Sequence, residues 1–211
     1  MNGPFVVRFD ASSCSGCKAC QAACKDHNGL RAGLLWRRVY EVSGGGWAKA
    51  GDAWTQDVFA WNLSLSCNHC EKPICVEACP TGAMHRRPDG VVLVDADRCM
   101  GCRYCEWACP YGAPRFDGAR GVMTKCTLCS DRLEEGLAPS CVSACPMRAL
   151  DFGTREEMEE RHGEEVAAAS GAGFPLPDPR LTEPAFRLTP HRSAARSVEE
   201  GSVANREEVE P

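Results

Sequence analysis

Sixteen cysteines dominate the chemistry available to this chain, and they fall in four groups of four. The groups are Cys14, Cys17, Cys20 and Cys24; Cys67, Cys70, Cys75 and Cys79; Cys99, Cys102, Cys105 and Cys109; and Cys126, Cys129, Cys141 and Cys145. Each opens C-x2-C and closes C-x3-C, so the chain repeats one device four times. Thiolates are soft ligands, and a four-iron, four-sulfide cube needs one on each iron. Cysteines at i, i+3 and i+6 let one loop wrap a corner of such a cube and reach three irons. The fourth iron needs a thiolate from elsewhere.

Where C-x2-C-x2-C-x3-C-P motifs work in pairs, as in two-cluster bacterial ferredoxins, the last cysteine of each ligates the other's cluster. Proline follows the last cysteine at Pro80, Pro110 and Pro146, and only the first group departs, with Lys25. Four motifs predict four 4Fe-4S clusters. Nineteen residues separate the second and third groups and sixteen the third and fourth, so spacing leaves the pairing open. The cations Lys18, Arg98, Arg103, Lys125 and Arg148 adjoin ligand positions, as counter-charges to a buried anion or as ordinary surface charge.

The elements that must hold these loops are short. Phe5 to Phe9 predicts a strand before Cys14. Pro88-Asp89-Gly90 predicts a turn leading to a β run over 91–94 before Cys99. A short helix after each loop carries the last cysteine. Thr154 with Glu157 fits a capping box for a helix running into the glutamates up to Glu165, which read as a solvated face. Beyond it the sequence turns proline-rich, with six of the fourteen prolines, and predicts an extended tail.

Residues 1–150 carry a net charge of +2 and residues 151–211 of −7. A net acidic chain lacks the clustered Lys and Arg that phosphate binding requires, which argues against nucleic acid. No apolar run approaches the roughly 20 residues of a membrane-spanning helix. The start MNGPFVVRFD has no secretory signal, so the cysteines are expected to begin as thiols. Nor is there a dinucleotide fingerprint, phosphate loop, zinc-protease motif or nucleophile elbow, so no catalytic residue is assigned.

The segments SCNHCEKPICVEACPTGAMHRR, DRCMGCRYCEWACPYGAPRF and SCVSACPMRALDFG, with the GLLWRRVYEVSGGGW insertion, resemble the four-cluster iron-sulfur subunits of the dimethyl sulfoxide reductase family. Within that family the likeness is strongest to the subunit of dimethyl sulfoxide reductase itself. The resemblance implies an α+β fold of two pseudo-symmetric ferredoxin-like dicluster modules, an inserted β-rich segment and an extended C-terminal tail. Residues 5–30 with 117–150 would form the outer module, 31–57 the insertion, 58–116 the inner module, and 151–211 the helix and tail. It also implies a nested ligand set: Cys67, Cys70, Cys75 with Cys109; Cys99, Cys102, Cys105 with Cys79; Cys14, Cys17, Cys20 with Cys145; and Cys126, Cys129, Cys141 with Cys24. Some relatives lack the cysteine at the Cys102 position and hold a three-iron cluster; Cys102 favours four irons here.

The function implied is an electron relay between a molybdopterin-containing catalytic subunit, reducing sulfoxides or N-oxides, and an integral membrane subunit oxidising quinol. An equivalent subunit of a polysulfide, thiosulfate or other oxyanion reductase is the alternative. Membrane association through partners, on the periplasmic face after co-export or alternatively on the cytoplasmic face, follows from the same likeness. Two rival classes are a zinc-binding scaffold, which would use separated C-x2-C pairs, and an independent reductase, which would need an iron lacking a cysteine. Of the five tryptophans, Trp36, Trp47, Trp54 and Trp61 lie in or beside the insertion and are expected mostly to pack over the cluster core, with docking on the catalytic subunit as the rival role. His69 is expected beside a cluster or at the surface, not as a ligand, and the Asn62-Leu-Ser64 glycosylation match reads as chance.

Overall fold

The computed structural model describes residues 4–163 and 175–209. Strand β1 (Phe5–Asp10) is covered on both faces, which is why its sequence begins as an unbroken apolar run. Phe5, Val7 and Phe9 enter the main core, where Phe5 stacks on Phe152, while Val6 faces the other way onto Met158. A second sheet is built on β2 (Arg38–Gly44), which pairs antiparallel with β5 (Phe59–Leu65) and sets Tyr40 opposite Leu63 and Val42 opposite Trp61. Between them β3 (Trp47–Ala50) and β4 (Ala53–Gln56) form a wholly exposed hairpin.

The cysteine loops are carried by pairs of short helices and by small hairpins. Helix α1 (Ala19–His27) packs on a later helix, Ser140–Ser143, and α2 (Ile74–Glu77) packs on α3 (Tyr104–Ala108). Hairpins β6 (Met84–Arg86) with β7 (Val92–Val94), and β8 (Arg115–Asp117) with β9 (Val122–Thr124), follow the second and third groups. The turn at 88–90 joins the first of these, with Gly90 at φ +87°. Met84, Val92, Cys105 and Met123 make a small separate apolar cluster there. Helix α4 (Ser130–Glu134) follows Cys129 directly, and α5 is the Ser140–Ser143 helix that bears Cys141.

Strand β10 (Leu150–Thr154) runs antiparallel to β1 and ends in the expected capping box. The Glu157 amide donates to Thr154 Oγ1 at 3.3 Å, and the Thr154 amide donates to Glu157 Oε2 at 2.8 Å, opening α6 (Arg155–His162). Glu164, Glu165 and Pro211 lie outside the described residues.

The tail is not simply extended. A 3-10 turn at Pro179–Leu181 leads to β11 (Phe186–Thr189), which lies parallel against β1. It continues as α7 (Ala194–Glu200), β12 (Ser202–Val203) on the edge of β2, and α8 (Arg206–Val209). The Trp61 indole donates to Ser197 Oγ at 2.7 Å, and Asn205 bonds both the Val39 carbonyl and the Glu41 amide. Proline and polar residues conceal this docking in the sequence, because a few anchors, Phe186, Leu188 and Val209, carry it.

The tryptophan expectation divides. Trp61 is buried, and Trp36 is half-buried with its indole donating to Thr124 Oγ1 at 3.1 Å. Trp47 and Trp54 instead stand 66% and 63% exposed. Lys49 lies opposite Trp54 and Trp47 opposite Gln56, so both indoles share one face of a ribbon that leaves the body of the protein.

Candidate metal centres

None of the sixteen cysteines forms a disulfide. Cys14, Cys17 and Cys20 line a small cavity of about 20 Å³ together with the distant Cys145, under Phe9, Val39 and Leu150. Cys99, Cys102 and Cys105 line one of about 10 Å³ with Cys79, under Met84, Val94 and Met123. Cys24 has Cys126, Cys129 and Cys141 as thiol neighbours, and Cys75 has Cys67, Cys70 and Cys109. Every cysteine thus joins a quartet of three thiols from one group and one from another.

Helix geometry explains this exchange. Residues four apart share a helix face, one turn along. Cys20 and Cys24 on α1 therefore face two adjoining quartets, and Cys141 on α5 and Cys145 just beyond it face the same two in reverse. Cys75 and Cys79 at α2, with Cys105 and Cys109 at α3, repeat the arrangement. In each C-x2-C the residue before the second cysteine is left-handed: Gly16 (φ +71°), His69 (φ +43°), Gly101 (φ +70°) and Leu128 (φ +57°). Such turns gather successive backbone N-H groups toward an anion. The Leu128 amide donates to Cys126 Sγ at 3.4 Å, Met84 to Cys79 Sγ at 3.3 Å and Met123 to Cys99 Sγ at 3.3 Å.

Burial, and then neighbouring sulfurs, push the thiols up: Cys75 and Cys126 to about 12 and Cys105 to about 11. Burial also raises Cys79, but the Met84 amide and the Thr81 hydroxyl and amide outweigh it and hold that thiol below its ordinary value. The donors fit a cluster: cysteines outside any disulfide in fours, two of the quartets around a cavity, with buried Arg37 Nε and His69 Nε2 lacking an acceptor among the described residues. Among the described residues, no three His, Cys, Asp or Glu side chains converge as ligands of a single metal ion.

The flanking cations separate. Lys18 is an outer residue held by Glu41 at 3.0 Å and Glu208 at 2.6 Å, Arg103 pairs with Glu106, Arg98 reaches the Thr81 carbonyl, and Arg148 is exposed. Only Lys125 of the five is buried. The sequence reading missed Arg37, buried among Cys141, Cys20, Cys126 and Cys24; its signal is the pair Arg37-Arg38 leading into an apolar strand. His69 is buried, and its Nδ1 accepts the Val92 N-H at 3.0 Å.

Comparison with known proteins bears on the same residues. The 4Fe-4S dicluster domain family matches residues 58–155, and a 4Fe-4S binding domain matches residues 11–29. The B chain of anaerobic dimethyl sulfoxide reductase from Escherichia coli (strain K12) is 48% identical over 210 residues, 99% of this chain and 100% of that protein. This chain therefore belongs to the family of dimethyl sulfoxide reductase B chains. Family membership and the two domain matches make it a 4Fe-4S protein with ferredoxin-like dicluster domains of mixed helix and strand. Its likeness extends to the B subunit of sulfite dehydrogenase from Allochromatium vinosum, 39% identical over 92% of this chain and 86% of that protein. It also extends to the thiosulfate reductase electron transfer subunit PhsB of Salmonella typhi, 41% identical over 75% of this chain and 80% of that protein. In this member of the dimethyl sulfoxide reductase family, the dicluster match holds the second to fourth cysteine groups and the shorter match holds the first.

Proposed function

We propose that this chain relays electrons through four 4Fe-4S clusters between a quinol-oxidising membrane subunit and a molybdopterin catalytic subunit that reduces sulfoxides or N-oxides. Each thiol quartet would ligate one cluster, in two pseudo-symmetric dicluster modules: 58–116, and 5–30 with 117–150. The observation that carries the reading is that the quartets adjoin in file. Cys20 neighbours Cys141 as well as Cys145, Cys126 neighbours Cys67, and α2 and α3 join the last two. A bound cluster supplies a store for one electron, and transfer between stores falls steeply with distance. The chain's own part is to hold the stores close, in low dielectric, behind amide donors that fix each sulfur.

No helix among the described residues is long and apolar enough to cross a membrane. Membrane association, on the periplasmic face, would therefore come through the partner. A second reading is favoured by the relatives named for sulfite dehydrogenase and thiosulfate reductase: the same file serving another sulfur-compound or oxyanion enzyme, with electron direction set by the partners' potentials. Anaerobically purified chain is expected to carry roughly sixteen irons and as many labile sulfides, and to bring a molybdenum subunit with it from membranes. A colourless zinc protein overturns the reading.

The exposed indoles offer a docking surface for the catalytic subunit. Tryptophan at an interface centre contributes about 2 kcal/mol or more, roughly thirtyfold in affinity. Trp47→Ala should weaken capture of the catalytic subunit by that factor and leave the melting temperature and iron content unchanged. Equal capture by the variant and the parent chain removes this face from the interface.

A further inference from the structure

Three buried cations border the file of thiols: Arg38, which lies by Cys109 and donates to the Tyr111 carbonyl, and Arg37 and Lys125, which have no carboxylate partner among the described residues. Arg37 is 2% exposed; its Nη1 donates to Ser64 Oγ at 3.0 Å and its Nη2 to Ser66 Oγ at 2.9 Å, both neutral partners. Its charged surroundings are Cys20 of one quartet and Cys24, Cys126 and Cys141 of the next. Lys125 is likewise 2% exposed; its ammonium donates to the Val92 and Cys126 carbonyls and lies near Cys126 and Cys75. His69, near both, is buried, and its Nδ1 accepts the Val92 N-H at 3.0 Å.

A buried charge without a counter-ion costs several kcal/mol. Cations kept in such a place therefore belong to an anion that the protein's carboxylates do not provide. We propose that Arg37 and Lys125 are the built-in counter-charges of the central clusters and set their reduction potentials, Arg37 for the Cys14 and Cys24 quartets and Lys125 for the Cys24 and Cys75 quartets. This rests on the four-cluster reading. One-electron reduction adds one negative charge to a cluster and needs no proton. A nearby fixed cation stabilises the reduced form more than the oxidised one, and low dielectric magnifies the difference. Neither cation is among the main electrostatic neighbours of Cys79 or Cys105, two thiols of the remaining quartet.

The test is a dithionite titration of the purified chain followed by electron paramagnetic resonance, with iron and sulfide measured on the same samples. Arg37→Gln should move two of the four midpoints to lower potential. Lys125→Met should also lower two. One midpoint should respond to both substitutions and one to neither, a pattern that needs no prior assignment of signals. Unmoved midpoints at full iron content, or all four moving together, overturn the proposal. Should Arg37→Gln fail to load iron, Arg37→Lys decides for that residue: two lowered midpoints in a loaded Lys variant count against it, and unchanged ones support it. Lys125→Met tests the other cation independently. Iron content well below sixteen in the parent chain would instead count against the four-cluster reading itself, whatever the midpoints do.

Discussion

Cys24→Ala and Cys126→Ala are expected to disable the same cluster, although the residues lie at opposite ends of the cysteine-bearing sequence. Cys20→Ala, one helical turn from Cys24, is expected to disable a different one. The reason is the geometry of α1 and α5, whose paired thiols face two quartets at once. A cluster that loses one thiolate is either lost or converted to a three-iron form, so each single substitution should change one paramagnetic signal. Double variants make the argument quantitative. Cys24→Ala with Cys126→Ala should alter one signal, as either single does; Cys20→Ala with Cys24→Ala should alter two. If instead the Cys24 and Cys126 variants changed different signals, the nested quartets would be wrong, and pairing between groups adjacent in sequence would take their place.

The cluster chemistry was legible in the sequence because its signal is local: C-x2-C and C-x3-C are spacings along one turn or one loop, and their recurrence in all four groups leaves little to chance. The strand before Cys14, the turn at Pro88-Asp89-Gly90 and the Thr154 capping box were legible for the same reason. Pairing between groups was not, since it depends on how short helices cross, and no spacing encodes a crossing. Resemblance supplied it, and the Cys20, Cys24 and Cys126 variants test it. Arg37 was invisible for a related reason. It lies 13 residues from the nearest cysteine in the chain and reaches the thiols only because β2 pairs with β5, bringing it against Ser64 and Ser66. Left-handed Gly16 and Gly101 could be suspected from their residue type, whereas His69 and Leu128 adopt the same turn at a cost of about 1 kcal/mol or more, which only the surrounding fold can impose. The tail was misread because docking through a few anchors leaves proline and charge to dominate its composition.

Gly101→Ala should be among the most damaging single-atom additions. Gly101 sits at φ +70° inside the third C-x2-C, and a Cβ there would stand 2.3 Å from the Gly121 carbonyl oxygen and 3.2 Å from the Phe116 ring. Backbone cannot swing aside as a side chain can, so either the loop carrying Cys99 and Cys102 or the β8–β9 turn must move. Movement of either strains the Met123 amide bond to Cys99 Sγ. The left-handed conformation alone costs an alanine about 1–2 kcal/mol, and the clash brings the total to about 4 kcal/mol, the upper end for a point substitution. For a chain of this length that is a melting point lower by about 10 °C, with the cluster of the Cys79 quartet under-loaded. Gly121→Ala is the matched control. Gly121 is also at φ +70°, but nothing lies within 4 Å of its added Cβ, so it should lose only the conformational part and keep full iron. Equal melting of the two variants would mean that the hairpin does not press on the cysteine loop. A deficit of iron in Gly101→Ala alone would locate the damage at the sulfur cage and not in the core.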